Sequence, residues 1–420
     1  MRRSDITVGL DVGSSYVRMI VAAKEEERWR VLGTSKVPCN GLRKGIVVDI
    51  EETTKSINKA AEIAERIAGV PIEKAVVNIS GSHVGVQHSR GVVAVSRADG
   101  EVSPEDVERV LAAAQAIISP ENAANREIIH VIPRSYSLDN QADIRDPVGM
   151  NGMRLEVDAL IVTGSIPFIR NLSKCLSQAG IEIEGVVATP LAAAESVLNR
   201  RQKELGVVVV DIGVGTTDIA VFEEDQLLYS STLPVGAGHI TNDIAIGLKT
   251  SIDVAEKVKL EYGAAMAKDV SPKKEINLSR ISKNEEGSIK AKEIADIIEA
   301  RMEEIFTLVN KELRKIKRDG MLPAGVVLTG GGAKLPGIVD LAKKELHLPA
   351  QIGFPLRMEG VGDTLDDPAF AVATGLVLWE QVDRSAGTGS RLDLSGITDK
   401  IPDVMKSVHK MKDWFKTFLP

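Results

Sequence analysis

Residues 207–218, VVVVDIGVGTTD, decide the fold. The four valines before Asp211 predict a buried strand, because a continuous apolar run leaves no polar side for solvent. The glycines and threonines that follow predict a tight turn, and Ile219–Phe222 predicts a returning strand. Residues 6–15, ITVGLDVGSS, have the same order of strand, Asp-x-Gly and hydroxyl-bearing turn 200 residues earlier. A chain of two related halves is the simplest interpretation.

A third glycine-rich turn follows the predicted strand Val326–Thr329. Turns of this kind expose backbone N–H groups that hold phosphate oxygens. Any one of them fits a plain hairpin, but three in this order favour phosphate binding, and two facing turns could clamp the β- and γ-phosphates of a triphosphate. Asp11 and Asp211 would repel those phosphates unless a cation lay between, and hydrated Mg²⁺ is the natural bridge. The predicted site comprises Asp11, Gly13, Ser14, Ser15, Asp211, Gly213, Gly215, Thr216, Thr217, Gly330, Gly331 and Gly332, with both aspartates binding magnesium through water.

The composition of the 420 residues is that of a soluble protein of several domains. Hydrophobic residues make up 44% and charged residues 26%, which excludes a disordered or collagen-like chain, and the net charge of −7 argues against nucleic acid as a partner. Two cysteines, Cys39 and Cys175, fit a reducing cytosol. There is neither a signal-peptide core nor an apolar run of about 18 residues, so we expect any membrane contact to be peripheral.

The three turns, in this order, resemble the phosphate and adenosine segments of the superfamily of actin, heat-shock chaperone and sugar-kinase ATPases. Over most of its length the chain is similar to the bacterial cell-division family FtsA, through NISGSH (78–83), IHVIPR (129–134), DPVGM (146–150) and GAGHITNDI (236–244). The resemblance implies an α/β, actin-like two-lobed ATPase fold with a small αβ module inserted in the first lobe and a C-terminal amphipathic helix. It implies ATP and Mg²⁺ as cofactors and adds to the nucleotide site Gly236, Gly238, His239, Glu256 and Lys259.

The family's architecture also implies domain boundaries. The first-lobe core takes residues 1–82 and 161–193, the inserted module 83–160, the second-lobe core 194–242 and 315–384, and the second-lobe subdomain 243–314; a linker, 385–398, and an amphipathic helix, 399–420, follow. Inside the module, Ser103-Pro104 predicts a helix start, and Ile128–Ile132 and Arg134–Leu138 predict two short strands.

The resemblance further implies a protein that polymerises into actin-like protofilaments and tethers the tubulin-like division protein FtsZ to the membrane. Later division proteins would be recruited in turn, and the protein would lie on the cytoplasmic face of the cell membrane at the division site. The subdomain that the family uses for FtsZ contact includes Arg301 and Glu304, and we predict that charge reversal at either residue alters partner binding. Because nucleotide binding needs the two aspartates as much as hydrolysis does, we expect a nucleotide-gated switch with slow turnover at best.

The last 20 residues have the pattern of a membrane-surface helix. Apolar side chains recur at helical spacing, and lysines supply the polar side, with a balance of +3 from Val404 onward. A groove on a partner protein and the chain's own core are alternative binding places, although the Gly/Ser-rich linker argues against the second. The predicted membrane residues are Val404, Met405, Val408, Met411, Trp414, Phe415, Phe418, Leu419, Lys406, Lys410, Lys412 and Lys416.

Other functions compete with the tether. A sugar kinase needs a carboxylate base aimed at a hydroxyl, and no residue of the chain suggests itself for that role. A heat-shock-type chaperone needs a large peptide-binding domain, for which too few residues follow Arg384. A pilus-assembly actin-like ATPase that docks to a membrane partner is the closest alternative, and the basic amphipathic tail favours the division family over it.

Overall fold

The computed structural model describes residues 6–385 except 27, 118–124, 284, 286, 356–357 and 361–365. The predicted amphipathic helix and most of the predicted linker lie outside the described residues. The strands are β1 Ile6–Val12, β2 Tyr16–Glu25, β3 Arg28–Pro38, β4 Leu42–Arg43, β5 Ile46–Val47, β6 Lys74–Ile79, β7 Gly85–Ala94, β8 Arg126–Leu138, β9 Gln141–Ile144, β10 Arg154–Ser165, β11 Glu182–Ala188, β12 Val207–Ile212, β13 Thr217–Glu223, β14 Gln226–Leu233, β15 Glu275–Asn277, β16 Ser288–Lys290, β17 Val326–Thr329, β18 Ala350–Ile352 and β19 Glu359–Gly360. The helices are α1 Ile50–Ala68, α2 Pro104–Ala116, α3 Ile166–Gln178, α4 Thr189–Val197, α5 Arg200–Leu205, α6 Ala237–Leu248, α7 Ile252–Tyr262, α8 Ala291–Lys315, α9 Ile338–Leu346 and α10 Ala371–Ser385.

Two large sheets repeat one topology. In the first, the antiparallel meander β3-β2-β1 continues into the parallel strands β6 and β11, and β19 is added at the outer edge. In the second, the meander β14-β13-β12 continues into the parallel strands β17 and β18. This correspondence confirms the interpretation of two related halves. We call the two sheets and their helices the first and the second lobe.

Local sequence explains where the helices begin and end. The Asp49 side chain accepts a hydrogen bond from the Glu52 amide at the start of α1, and Gly69 ends that helix in the left-handed conformation with φ +71°. Ser103 and Asp106 form the reciprocal capping box of α2, with Pro104 in its first turn. The start of α2 agrees with the sequence prediction at Ser103-Pro104.

A separate four-stranded sheet, β7-β10-β8-β9, lies between β6 and α3 in the chain and packs against α2. The prediction of two short strands in this region is wrong, because β8 runs unbroken through Pro133. Its pairing with β10 skips Arg134, where Ala159 lies opposite Pro133 and Asp158 opposite Ser135. This bulge lets the strand pass a residue that has no N–H to donate to the ladder.

Helices α4 and α10 approach each other closely. A Cβ added at Gly375 of α10 would lie 1.7 Å from the carbonyl oxygen of Ala192 in α4, so only glycine permits this contact. Gly9 allows α10 to reach β1 in the same way, since its Cβ would lie 2.4 Å from the Ala373 carbonyl oxygen. Helix α4 also contacts strands of both large sheets, among them β6, β11, β12 and β13.

Candidate functional site

The first turn of the site joins β1 to β2. The Gly13 amide donates to the Tyr16 carbonyl at 3.1 Å, which closes the turn. Asp11 is buried at the end of β1 and lies opposite Arg18 in the strand pairing, with Arg18 Nη1 3.4 Å from Asp11 Oδ2. Asn78 donates from Nδ2 to Asp11 Oδ1 at 3.0 Å and accepts the Val12 amide at 2.7 Å. The Asp11 carboxylate is therefore fixed by two side chains.

The second turn joins β12 to β13 in the same way. The Gly213 amide donates to the Thr216 carbonyl at 2.9 Å, and Asp211 is again buried. The residue opposite Asp211 in the pairing is Asp218, an acid where the first lobe has an arginine. Asp218 accepts hydrogen bonds from three hydroxyl groups, those of Ser80 at 3.2 Å, Thr216 at 3.0 Å and Thr232 at 2.5 Å.

The third turn needs glycine for a steric reason. Gly330 has φ +81°, and a Cβ there would lie 2.0 Å from Asp211 Oδ1. Gly332 faces Ile212, whose Cγ2 would lie 2.4 Å from an added Cβ, whereas a Cβ at Gly331 would meet nothing within 4 Å. The backbone at Gly330 thus lies so close to the second aspartate that no side chain fits between them.

The three turns surround one cavity of about 90 Å³ between the lobes. Its wall includes Asp11, Gly13, Ser14, Ser15, Asp211, Gly213, Gly215, Thr216, Gly330 and Gly331. Ligand pockets for drug-sized molecules are typically about 300–1,000 Å³, so we expect the lobes to separate when a nucleotide binds.

Residues of the two lobes meet at the cleft. Gly215 of the second lobe lies against Ser14 of the first, since a Cβ on Gly215 would lie 2.9 Å from Ser14 Oγ. Within the first lobe, the same oxygen accepts the amide of Gly45 at 3.0 Å. Ser80, which follows β6 in the first lobe, donates to Asp218 of the second lobe. Gly45 lies in the two-residue turn between β4 and β5, where Lys44 and Gly45 both have positive φ, as in a type I′ hairpin.

Burial sets the electrostatics of the cavity. Burial raises the pKa of Asp11, and the Arg18 guanidinium opposes that rise. Burial raises the pKa of Asp211 well above its ordinary value, and the neighbouring Asp218 and Asp11 raise it further. Burial also raises the pKa of Asp218 to about 6, although its three hydroxyl partners lower it. Three carboxylates thus face a cavity that has one arginine among its lining residues.

The residues that line the cavity suit a cation that is held partly by the protein and partly by another bound molecule. In the part of the chain that the structure describes, no three acidic, histidine or cysteine side chains converge closely enough to hold a metal ion by themselves. The excess of buried negative charge nevertheless favours a cation, and the glycine turns leave room for ligand oxygens. This donor set suits hydrated Mg²⁺, which keeps most of its waters and bridges carboxylates to phosphate.

Several residues predicted for this site lie outside the cavity wall. Thr217 is fully buried and donates its hydroxyl to the Val235 carbonyl at 2.8 Å, and Gly332 packs on Ile212. Gly236 and Gly238 support the second turn from behind, since the amides of Ala237 and Gly238 donate to the carbonyls of Gly213 and Val214 at 2.8 and 2.9 Å. His239 Nδ1 accepts the Gly236 amide at 3.2 Å.

Glu256 and Lys259 form a separate cluster on α7. Lys259 Nζ lies 2.6 Å from Glu256 Oε2 and donates to Thr241 Oγ1 at 2.8 Å. Lys259 also approaches the Ala237 carbonyl at 3.4 Å, directly after the glycine that supports the second turn. The cluster therefore ties α7 to the start of α6.

The structure adds site residues that the sequence analysis missed: Arg18, Asn78, Ser80, Thr189 and Asp218. The repeat contained a signal for two of them, because Arg18 and Asp218 stand at the same distance after their aspartates. Asn78 and Ser80 lie in the motif NISGSH, which indicated the family but no role in the site, and Thr189 had no local signal; these three come from the ends of β6 and β11.

The two predicted partner residues lie on α8. Arg301 is held by Asp243 of α6 through two contacts, Nε to Oδ2 at 2.6 Å and Nη2 to Oδ1 at 2.8 Å. Glu304 also pairs with Arg301, and its side chain is 54% exposed. Arg301 thus links two helices, while Glu304 is available to a partner. The predicted membrane residues 404–419 lie outside the described residues.

Comparisons with known proteins agree with this geometry. The family model "Cell division protein FtsA" matches residues 208–375, and the model "SHS2 domain inserted in FTSA" matches residues 81–163, the region of the four-stranded sheet. The cell division protein FtsA of Pseudomonas aeruginosa is 36% identical over 97% of this chain and 96% of its own length. The FtsA of Bacillus subtilis is 40% identical over 90% of this chain and 84% of its own length.

Solved structures show the same fold. The PilM–PilN type IV pilus biogenesis complex contains a chain that matches with a TM-score of 0.64 at 18% identity, covering 89% of this chain and 98% of that one. MreB5 of Spiroplasma citri bound to AMPPNP matches with a TM-score of 0.53 at 16% identity, covering 91% and 98%. At these identities the likeness establishes fold alone.

Fold and site therefore define an actin-like protein whose first lobe carries an inserted SHS2 domain. The chain belongs to the FtsA family of cell division proteins. Among the described residues no helix combines the length and apolarity that crossing a bilayer requires.

Proposed function

We propose that this chain is an ATP- and Mg²⁺-binding adaptor of cell division, which polymerises and tethers FtsZ to the cytoplasmic face of the membrane. The observation that carries the nucleotide assignment is the cavity itself, in which glycine turns from both lobes meet three buried carboxylates and Arg18. The structure of MreB5 with AMPPNP supports the assignment, because that protein binds an ATP analogue in the same fold.

The nucleotide assignment is tested by equilibrium dialysis of the full chain against ATP, with Mg²⁺ or with EDTA. We expect binding that depends on Mg²⁺, and its loss in Asp211→Asn, because the neutral amide removes one of the acids that attract the cation. Asp340→Asn is the matched control, since Asp340 is an exposed residue of α9. Equal affinity in EDTA would contradict the magnesium bridge, and absence of binding would contradict the nucleotide itself.

The membrane assignment rests on the sequence of residues 404–419. A few inserted apolar side chains contribute several kcal/mol at about 25 cal/mol per Å² buried, and each lysine adds about 1 kcal/mol on anionic lipid. Ordering the helix opposes this gain, so a single tail binds weakly. A row of tails on a polymer binds far more tightly through effective concentration, and membrane residence then depends on self-association.

Liposome flotation in Mg-ATP tests the anchor by comparing residues 1–420 with residues 1–396 on anionic and neutral lipid. We expect only the full chain to float, and more of it with anionic lipid. Flotation of neither form would favour a tail that docks in a partner's groove, which is the arrangement expected of a pilus-type protein. A polymerisation-defective variant that bound lipid as tightly as the parent would contradict the coupling to self-association.

Co-sedimentation tests FtsZ as the partner. Glu304→Lys is the sharper variant, because Arg301→Glu also breaks the link from α8 to α6. We expect Glu304→Lys to weaken co-sedimentation without a change in thermal stability. Unchanged co-sedimentation would remove Glu304 from the contact surface. Recruitment of later division proteins belongs to the same proposal and follows from family membership alone.

A further inference from the structure

One histidine of the inserted SHS2 domain contacts both the residue before α4 and helix α10. The ring of His130, on β8, is partly buried, and its Nε2 accepts the amide of Ala188 at 3.1 Å. Ala188 is the residue directly before α4. On its other side the imidazole lies against Trp379 of α10, with the ring centroids 5.1 Å apart.

Hydrogen bonds continue from this point to the cleft. Thr189, next to Ala188, accepts from Asn78 Nδ2 at 3.2 Å and donates to the Ile79 carbonyl at 3.0 Å. The same Asn78 Nδ2 donates to Asp11 Oδ1 at 3.0 Å. The path from the imidazole to the first aspartate therefore has one peptide and two side chains, all buried.

The protonation state of His130 lets its ring accept the hydrogen bond from Ala188. Burial lowers the pKa of His130 to about 4, so the ring is neutral at physiological pH. The accepting Nε2 assigns the remaining proton to Nδ1. The neutral ring therefore accepts the hydrogen bond of the Ala188 amide without adding a charge at this position.

We expect the cleft to widen when a nucleotide binds, and the SHS2 domain contacts the second lobe. Strand β14 of the second lobe contacts β7 and β8, and Arg145 of the SHS2 domain approaches the Glu224 carbonyl at 3.4 Å. Helix α4, held by His130, follows the first sheet in the chain and leads to the second. A change of lobe spacing therefore acts on the surroundings of His130 and Trp379.

We propose that His130 is a positioning residue that couples the SHS2 domain and α10 to Asp11, so that occupancy of the cleft changes the environment of this domain. The inference rests on the proposed function, because the ligand is Mg-ATP. By linkage, a partner bound to the SHS2 domain changes nucleotide affinity by the same factor.

Fluorescence of Trp379 tests the proposal in the full-length chain with Trp29→Phe and Trp414→Phe, which leave Trp379 as the reporter. Binding of Mg-ATP is measured in parallel by dialysis. We expect Mg-ATP to shift the emission, and His130→Leu to abolish the shift and weaken binding about fivefold, the value of one net hydrogen bond of about 1 kcal/mol. His130→Gln restores both, since its amide oxygen accepts the Ala188 N–H. His88→Ala, in the exposed part of the same sheet, behaves like the parent.

The outcomes separate the two proposals. Binding without an emission shift in the parent, or a His130→Leu variant that binds and shifts like the parent, overturns the coupling alone. No binding of Mg-ATP overturns the proposed function and the coupling with it. Hydrogen exchange of the natural chain gives a test free of substitutions: Mg-ATP must change exchange in residues 126–138, and unchanged exchange with bound nucleotide overturns the coupling.

Discussion

The hairpins β1–β2 and β12–β13 have the same strand register, but the charges at their paired positions are balanced in the first and negative in the second. Each places a buried aspartate opposite the residue seven positions later, and each closes its turn with a glycine amide. In the first hairpin that residue is Arg18, which neutralises Asp11. In the second it is Asp218, which adds to the charge of Asp211 and is supported by hydroxyls.

The difference shows how a duplicated fold becomes an asymmetric site. Backbone geometry is repeated, because strand pairing and glycine turns depend on local sequence. The charge balance differs through one side chain in each half. The second half therefore carries the uncompensated charge, and a cation is expected to act mainly there.

We expect the largest effect on stability from a substitution at Gly330, whose backbone lies against Asp211. Gly330→Ala forces a left-handed alanine whose Cβ lies on Asp211 Oδ1, and strain and overpacking together cost up to about 5 kcal/mol. Gly331→Ala, whose Cβ meets nothing within 4 Å, is the matched control, and we expect a change within about 0.5 kcal/mol. Urea denaturation of both variants measures the difference, and equal stability would contradict the close approach.

The second-largest effect on stability is expected when the first hairpin loses Arg18, the positive charge that pairs with Asp11. Arg18→Met leaves Asp11 buried without a cation, and we expect about 4 kcal/mol lower stability, as for other broken buried pairs. Arg28→Met removes an exposed pair with Glu359 and should cost less than about 1 kcal/mol. Denaturation at pH 7 compares them. A small loss in Arg18→Met would mean that Asn78 alone supports Asp11.

The acid pair of the second hairpin predicts a pH dependence. Because the folded pKa of Asp218 is about 6, against an ordinary 3.8, the folded chain binds more protons between these values. The free energy of unfolding therefore falls as pH rises through this window, by about 3 kcal/mol, and this contribution is constant above it. Denaturation in EDTA from pH 4 to pH 7 measures the slope. Asp218→Asn should reduce it and Asp340→Asn should not; an undiminished slope in Asp218→Asn would assign it to other groups.

We expect the smallest effect from the hydrogen bond that joins the first lobe to Asp218 in the second hairpin. Ser80→Ala removes a hydroxyl that the first lobe donates to Asp218, at a cost of about 1 kcal/mol. Thr232→Val removes a donor to the same carboxylate from within the second lobe. Only Ser80→Ala should facilitate opening of the cleft, measured as a faster association of Mg-ATP. Equal association rates would mean that Ser80 does not restrain the cleft.

The site could be predicted from sequence only in part. The Asp-x-Gly turns were visible because glycine and hydroxyl residues between apolar runs report local backbone. The contributions of Asn78 and Ser80 were not, since each reaches a partner distant in sequence, with Asn78 and Asp11 separated by 67 positions and Ser80 and Asp218 by 138. The strand prediction around Pro133 was wrong because a bulge, set by the pairing with β10, carries the proline.

The sequence by itself determined the two strand–turn–strand units, the capped start of α2 and the family, because these depend on residues close in the chain. Tertiary structure alone decided which side chains face the cavity, that Gly236 and Gly238 support a turn from behind, and that Arg301 is held by Asp243. It also decided that Arg18 neutralises Asp11, whereas Asp218 raises the pKa of Asp211. The reason is physical: burial and charge coupling are properties of surroundings, and those surroundings come from segments that meet only when the sheets have formed.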